Sequence, residues 1–163
     1  MKVSQIILWL FVIGLGVEIG ARLYETIVVV PLWASGAPDS VVGYYQQNVA
    51  NPQFALNAGP RFWMLQTPLT GLLAVATLLS GLRTPMRHRI WRIVGSGLAV
   101  FVVAATFAWF IPNIMRLLYD VPNMNAADIA STAKLWVNLN WVRVVVYITA
   151  WICTLRAFSL PQD

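Results

Sequence analysis

Residues 5–33 read QIILWLFVIGLGVEIGARLYETIVVVPLW, an apolar run in which the only charged side chains are Glu18, Arg22 and Glu25. An α-helix needs about 20 predominantly apolar residues to cross the hydrocarbon core of a bilayer, and this run exceeds that length. It is also too long for the apolar region of a signal peptide, so we interpret it as a retained helix. The stretch therefore predicts an α-helical membrane protein.

Three more apolar runs follow, at about residues 62–82, 90–119 and 126–158, the last with Asn125 or Asp128 as a candidate N-cap. Of the 163 residues, 59% are hydrophobic and 10% are charged, whereas a soluble domain carries about 25% charged residues. The single cysteine, Cys153, excludes an intramolecular disulfide. We expect an all-α fold in which residues 1–163 form one domain, a transmembrane four-helix bundle.

The connection between the second and third runs is short and strongly basic, with four arginines between residues 83 and 92. By the positive-inside rule this connection is cytoplasmic, together with Lys2 and Arg156, so both termini are predicted to be cytoplasmic. Most of the formal net charge of +5 then reflects topology, and no nucleic-acid partner is expected. The pattern suits a bacterial cytoplasmic membrane.

The first, third and fourth helices can each run about 28–33 residues, or about 42–50 Å, against a hydrocarbon core of about 30 Å. We therefore expect them to extend on the non-cytoplasmic side, where residues 39–48 could form a short capping helix. Nine aromatic residues are predicted near that end, and we interpret them as an interfacial belt rather than as substrate-stacking residues. They are Trp33, Tyr44, Tyr45, Phe54, Phe62, Trp63, Trp109, Phe110 and Trp136.

Two local features predict how the helices pack. Gly16 and Gly20 form a Gly-x-x-x-Gly pattern that allows another helix to approach closely. Pro112 interrupts the third run, which predicts a kink and a freed carbonyl at Ala108.

The first helix has an ionic face, because Glu18, Arg22 and Glu25 have the spacing i, i+4, i+7 and lie within about 60° of one another. An ionisable side chain at the centre of a membrane helix costs at least about 2.5–3.5 kcal/mol, so such residues normally face the bundle interior. Both glutamates can reach Arg22 along the helix, which leaves one carboxylate in need of another partner.

A row of side chains along one face of the fourth helix matches the ionic face of the first helix. Its Arg143 is expected to lie at the same membrane depth as Glu25. The second and third helices add further polar side chains, so we expect a polar pocket in the outer half of the bundle. The alternative interpretation is that these residues only hold the helices together, since interhelical polar pairs are common in membranes. The stripe on the fourth helix is Trp136, Asn140, Arg143 and Tyr147, and the additions are Gln66, Thr70, Thr77, Thr106 and Asn113.

One pattern occurs twice, as Trp109-x-x-x-Asn113-x-x-Arg116 and as Trp136-x-x-x-Asn140-x-x-Arg143. Both copies lie toward the outer ends of their helices. If the repetition is meaningful, two guanidinium groups lie near the pocket mouth, where they suit an anionic or carbonyl-bearing ligand.

The composition of the chain excludes several chemistries. The single histidine, His88, lies in the basic connection. One chain can therefore form neither a bis-histidine haem site nor a three-histidine metal site. A hydrolase triad and a phosphate-binding glycine loop are also absent from the sequence. We predict no metal and no cofactor. If the protein is an enzyme, acid–base catalysis by a carboxylate is the available route.

Three short motifs carry a resemblance to a known family: Ala21-Arg22-Leu23-Tyr24 with Val30-Pro31, Ile111-Pro112-Asn113 with Arg116-Leu117-Leu118, and Trp136-x-x-Leu139-Asn140-x-Val142-Arg143. The chain resembles the anthrone-oxygenase-like family of small four-helix integral membrane proteins, most of which have no assigned function. The resemblance implies a four-helix bundle and, from the few members with a named activity, cofactor-independent oxidation of a polycyclic phenolic anthrone by molecular oxygen. Asn140 stands where many members carry a histidine.

The first functional hypothesis is a membrane protein that binds a lipophilic quinone-like or phenolic molecule and, if it is an enzyme, oxidises it without metal. Glu18, Glu25 and Arg143 are the candidate catalytic residues. The alternatives are a non-catalytic accessory subunit of a larger membrane complex, or a small transporter or channel subunit. Expected partners are membrane lipid, the small molecule, and further copies or other membrane subunits. The candidate ligand-binding residues are Arg22, Tyr24, Gln66, Asn113, Arg116, Trp136, Asn140 and Tyr147.

Overall fold

The computed structural model describes residues 3–51 and 58–160, and every regular element in these ranges is helical. Four helices are long and apolar enough to cross a membrane: Val3–Ala34, Arg61–Gly81, Met86–Tyr119 and Ala126–Ser159. The predicted number of long helices is therefore confirmed, and their ends lie within a few residues of the prediction. The predictions for Lys2 and Phe54 lie outside the described residues.

The first and third long helices are each interrupted by a π-turn. The first consists of α1 (Val3–Tyr24), a π-turn (Glu25–Val29) and α2 (Val30–Ala34). A short helix α3 (Asp39–Tyr44) and a π-turn (Tyr45–Val49) follow, as predicted for residues 39–48. The second long helix is α4 (Ala58–Gly81), and the third consists of α5 (Met86–Ala105), a π-turn (Thr106–Phe110) and α6 (Ile111–Tyr119). A 3₁₀ turn (Val121–Asn123) leads to the fourth, α7 (Ala126–Ser159).

The two membrane-helix π-turns are each followed by a proline, Pro31 or Pro112, at the second residue beyond the turn. The turns are closed by hydrogen bonds from the Val30 N–H to the Glu25 carbonyl and from the Ile111 N–H to the Thr106 carbonyl. Proline has no N–H to donate, so the regular hydrogen-bond ladder is interrupted close to each of these π-turns. The sequence predicted a freed carbonyl at Ala108, and the structure shows an interhelical hydrogen bond nearby, from the Trp136 indole to the Phe110 carbonyl.

Each long helix contacts the next one in the chain, and α7 also contacts α1. Among the described glycines, the closest approach to a neighbouring helix is at Gly95, where an added Cβ would lie 2.8 Å from the Ala150 carbonyl oxygen on α7. The predicted close approach at Gly16 and Gly20 is wrong. A Cβ on Gly16 would meet the Trp151 ring at an ordinary 3.8 Å, and one on Gly20 would meet nothing within 4 Å.

The two ends of the helix assembly differ in character. At the basic end, Arg92 Nη1 donates to the Ser4 carbonyl at 3.2 Å, and His88 Nδ1 lies 3.3 Å from the Ala157 carbonyl oxygen. The starts of α1 and α5 and the end of α7 therefore lie together. At the opposite end, which we call the cap end, α3 and the 3₁₀ turn pack on the helices through a buried cluster that includes Trp33, Val41, Val121, Ile129 and Trp136.

The long helices are apolar on the outside and carry charge on the inside. Glu18 and Arg22 are 0% and 2% exposed, whereas large apolar side chains are exposed along all four helices. This is the reverse of a soluble helical protein, in which charged residues are almost never fully buried, and it is the distribution expected when lipid surrounds the helices. The exposed set includes Trp9, Ile13, Leu65, Leu72, Phe101, Phe107, Trp141 and Ile152.

Candidate functional site

A buried ion pair lies at the centre of the polar interior. Arg22 Nε donates to Glu18 Oε1 at 2.7 Å, and Arg22 Nη2 lies 2.5 Å from the same oxygen. The two residues are one helical turn apart on α1, the spacing from which the sequence predicted their pairing. Both charges are removed from solvent and compensate each other.

The second long helix satisfies the other oxygen of the Glu18 carboxylate. Thr70 Oγ1 donates to Glu18 Oε2 at 3.2 Å, and Gln66 Nε2 donates to Thr70 Oγ1 at 3.3 Å. The Gln66 amide also donates to the Gly14 carbonyl at 3.1 Å. These bonds join α4 to α1 and leave Glu18 with a hydrogen bond on each oxygen.

Aromatic rings enclose the Arg22 guanidinium. Its Cζ lies 4.5 Å from the Trp63 ring centroid and 5.1 Å from that of Tyr147. At such distances the negative face of an aromatic ring attracts a cation. Tyr147 is 0% exposed, and its hydroxyl makes no hydrogen bond in the part of the chain that the structure describes.

A second group of hydrogen bonds connects the first, third and fourth long helices. Thr26 Oγ1 donates to the Arg22 carbonyl at 2.6 Å and accepts from Asn140 Nδ2 at 2.8 Å. The side-chain oxygen of Asn140, Oδ1, accepts from Arg143 Nη2, so both the nitrogen and the oxygen of this side-chain amide are hydrogen-bonded. Arg143 Nη1 lies 3.5 Å from Thr106 Oγ1, in the π-turn of the third helix.

Together these contacts form one continuous set, which we call the polar chain. It starts on α4, passes along α1 to α7 and ends at the third long helix, so it touches all four. Its members are Gln66, Thr70, Glu18, Arg22, Thr26, Asn140, Arg143 and Thr106.

Among the described residues, Arg143 has no carboxylate within 4.0 Å, but Glu25, the partner that the sequence predicted, lies near enough for the two charges to interact. The ion pairs within residues 3–51 and 58–160 are Glu18–Arg22 and Arg116–Asp128. Arg143 binds Asn140 instead, because that amide lies one turn away on the same helix. Glu25, at the start of the π-turn, is only partly buried.

The Arg143 guanidinium is held against aromatic rings and retains one unused donor. Its Cζ lies 4.0 Å from the Phe110 ring centroid and 5.6 Å from that of Trp136, whose indole N–H donates to the Phe110 carbonyl at 3.2 Å. Arg143 is 5% exposed, and its Nε has no hydrogen-bond partner among the described residues. A buried cation with a free N–H donor is suited to an oxygen acceptor.

Several predicted site residues lie apart from this interior. Tyr24 is 63% exposed on the outside of α1. Arg116 Nη2 lies 4.0 Å from Asp128 Oδ2, with about half of each side chain exposed, and Asn113 donates to the Trp109 carbonyl of its own helix at 2.8 Å. The two copies of the Trp-Asn-Arg pattern therefore have different surroundings, and Arg116 does not join Arg143.

Sequence reasoning missed three contributors. Thr26 continues the stripe of Glu18 and Arg22 by four residues, a signal that could have identified it. Trp63 and Phe110 were assigned to the interfacial belt, and nothing in their spacing indicates that they contact guanidinium groups.

The centre of the polar chain is closed to solvent, since Glu18 and Asn140 are both 0% exposed, as is the neighbouring Tyr147. Larger cavities lie at the two ends, with about 360 Å³ beside α3 at the cap end and about 550 Å³ at the basic end. No group of three histidine, cysteine, aspartate or glutamate side chains close enough to hold a metal ion occurs within the ranges described. No family model, no curated protein and no solved structure matches this chain.

Proposed function

We propose that this chain is an integral membrane protein that binds an oxygen atom of a lipophilic quinone-like or phenolic molecule beside Arg143. The main observation behind this proposal is that two buried donors, Arg143 Nε and the Tyr147 hydroxyl, have no hydrogen-bond acceptor among the described residues. An unsatisfied buried polar group costs about 1–3 kcal/mol, so a ligand that supplies the acceptor recovers that free energy. A quinone carbonyl and a phenolate oxygen are both suitable acceptors.

The neighbouring rings support a planar, apolar ligand. Arg143 and Tyr147 are four residues apart, so they occupy one face of α7. The Arg143 guanidinium lies over the Phe110 and Trp136 rings, which place apolar surface next to the donors. Ligand sites in proteins commonly combine an apolar wall with a few polar groups that fix orientation.

Within this proposal Glu25 is the candidate acid or base for an oxidation that needs no metal. It is more exposed than Glu18, and its carboxylate lies near Trp63 and the charges of Arg22 and Arg143 without an ion pair within 4.0 Å in the described part of the chain. Glu18, with both oxygens bonded, has the positioning role of holding Arg22. The resemblance to the anthrone-oxygenase-like family remains part of the proposal, with Asn140 holding Arg143 in place.

The proposed topology places the basic end in the cytoplasm of a bacterial cell, with the helices crossing the cytoplasmic membrane and the cap end outside. The arginines of the α4–α5 connection support this orientation. In spheroplasts, a membrane-impermeant maleimide should label Asp39→Cys and leave Arg83→Cys unlabelled until the membrane is opened. The reverse pattern would invert the topology. Cys153 is buried in α7 and serves as the unreactive background.

Ligand binding is tested by native mass spectrometry of gently extracted protein, followed by organic extraction of any retained molecule. Tyr147→Phe keeps the ring beside Arg22 and removes only the hydroxyl, so we expect about 5–10-fold weaker retention, the value of one lost hydrogen bond. Arg116→Gln is the matched control, because Arg116 lies outside the polar chain. Equal retention by wild type and Tyr147→Phe would contradict the proposal.

The burial of the polar chain and its hydrogen bonds between helices favour a second candidate, a non-catalytic subunit of a larger membrane complex. In this case the ionic residues serve only to hold the four helices together, and the protein should co-purify in mild detergent with other chains at fixed stoichiometry. Ligand-free protein in such a complex, unaffected by Tyr147→Phe, would favour this function over ligand binding.

A further inference from the structure

A second arginine, Arg92, is buried at the basic end, far along the chain from the polar interior. It is 3% exposed, its Nη1 donates to the Ser4 carbonyl at 3.2 Å, and its Nε has no hydrogen-bond partner among the described residues. Gly81 permits this position, since a Cβ there would lie 3.2 Å from Arg92 Cβ. The side chain is therefore fixed between α1 and the end of α4.

The larger of the two cavities described above also lies at the basic end, and it shares Ser4 with the surroundings of this arginine. It measures about 550 Å³, within the range of about 300–1,000 Å³ typical of ligand sites. Ser4, which accepts the Arg92 hydrogen bond, forms part of its wall. The other lining residues are Leu79, Ser80, Leu82, Arg83 and Thr84.

The charge around this cavity is uncompensated. Arg83 is exposed at its wall, and Arg89 Nε donates to the Thr84 carbonyl at 3.2 Å. Neither arginine has a carboxylate within 4.0 Å in the described part of the chain, where the ion pairs lie elsewhere. The Ser80 and Thr84 hydroxyls donate to carbonyls of their own segment, so arginine supplies the free donors.

We propose that this cavity binds a phosphate group of net negative charge, carried by an anionic phospholipid or free in solution. Guanidinium groups match the geometry of phosphate oxygens, and basic pockets between membrane helices on the cytoplasmic side are typical lipid-headgroup sites. Leu79 and Leu82 give the same cavity an apolar side that can contact an acyl chain. The site is separate from Arg143 and does not depend on the function proposed for it.

The test uses the purified full chain in a neutral detergent and native mass spectrometry, with phosphatidylglycerol, phosphatidylcholine and inorganic phosphate as probes. Phosphatidylcholine carries the same phosphate with a compensating ammonium group, so tighter binding of phosphatidylglycerol is expected. Arg83→Gln should weaken that binding about five-fold, the effect of one arginine near a membrane surface. Ser80→Phe, which fills the cavity without changing charge, should also weaken it.

Arg156→Gln is the matched control, because it removes an exposed arginine of the last turn of α7 that does not line the cavity. We expect it to change binding less than two-fold. Displacement of the lipid by inorganic phosphate, or binding of phosphate alone, would identify the free ion as the source. Equal binding of the two lipids without phosphate binding, or equal losses in Arg83→Gln and Arg156→Gln, would overturn the proposal.

Discussion

Replacement of Gly95 by alanine tests the packing of α5 against α7 at a single atom. The added Cβ would lie 2.7 Å from Thr154 Cγ2, 2.8 Å from the Ala150 carbonyl oxygen and 3.1 Å from Cys153 Cβ. The threonine methyl group could rotate away, but the Ala150 oxygen belongs to the backbone of α7. The two helices must therefore separate to accept the substitution.

The expected cost follows from two opposing effects. Overpacking of a well-packed interior costs about 1–3 kcal/mol, and here the rigid backbone contact favours the upper part of that range. Alanine recovers up to about 1 kcal/mol, because glycine is the poorer helix former in a helix interior. We expect Gly95→Ala to lower the free energy of unfolding by about 1–2 kcal/mol.

The same helix offers a matched control two residues further on. A Cβ on Gly97 would meet nothing within 4 Å, so Gly97→Ala should leave stability unchanged or raise it by up to about 1 kcal/mol. Reversible unfolding in mixed micelles with increasing denaturing detergent, followed by tryptophan fluorescence, measures both variants. Gly95→Ala as stable as Gly97→Ala would refute the close approach of α5 and α7.

Two further predictions concern ionisable groups. Glu18→Gln leaves the buried Arg22 charge without its carboxylate, so we expect a loss of about 3–5 kcal/mol in the same unfolding assay. The double variant with Arg22→Gln should be more stable than the single variant, and a single-variant cost below about 1 kcal/mol would contradict the buried pair. Burial, and secondly the Glu25 charge, raise the pKa of Tyr44 above its ordinary value. Because the folded state favours the neutral Tyr44, this group contributes stability to the fold below its unfolded pKa of about 10. The contribution is lost as the pH rises through the pKa of Tyr44 in the folded protein. Tyrosinate absorbance should show that Glu25→Gln lowers the pKa of Tyr44, and an unchanged titration would place Glu25 away from the cap end.

The four long helices could be predicted from the sequence because a membrane-spanning helix requires a long apolar run. The pairing of Glu18 with Arg22 was equally accessible, since it depends on the spacing within one helix. The cap helix α3 was predicted within residues 39–48, on the side where the long helices were expected to extend beyond the membrane. These features depend on local sequence alone.

Contacts between helices could not be predicted in the same way, because they depend on rotation and depth. Arg116 and Arg143 have identical local patterns, yet one lies in an exposed ion pair and the other is buried in the polar chain. Gly20 lies in a Gly-x-x-x-Gly motif and faces open space, whereas Gly95, which is followed by Ala99 four residues later, makes the closest contact of the described glycines. Spacing within a helix identifies a face but not the neighbour that it meets.

Apolar side chains cannot by themselves fix how these helices rotate, since lipid is as apolar as a leucine side chain. Polar contacts favour one rotation of the first helix over the others. Turning Glu18 and Arg22 toward lipid would expose two ionisable groups, at a cost of about 2.5–3.5 kcal/mol each. The polar chain fixes the first helix against α4 through Thr70 and against α7 through Asn140. Gly95 fixes the remaining approach of α5 to α7.

Most atoms of the polar chain are thus accounted for by the architecture alone, and their loss would disturb folding whether or not the protein binds anything. The Tyr147 hydroxyl and Arg143 Nε differ, because they are buried donors without a hydrogen-bond acceptor in the part of the chain that the structure describes. Removal of such an atom leaves the interhelical bonds intact. A change in ligand retention caused by Tyr147→Phe in a fully stable protein would therefore report binding at these donors, separately from the packing role of the residues around them.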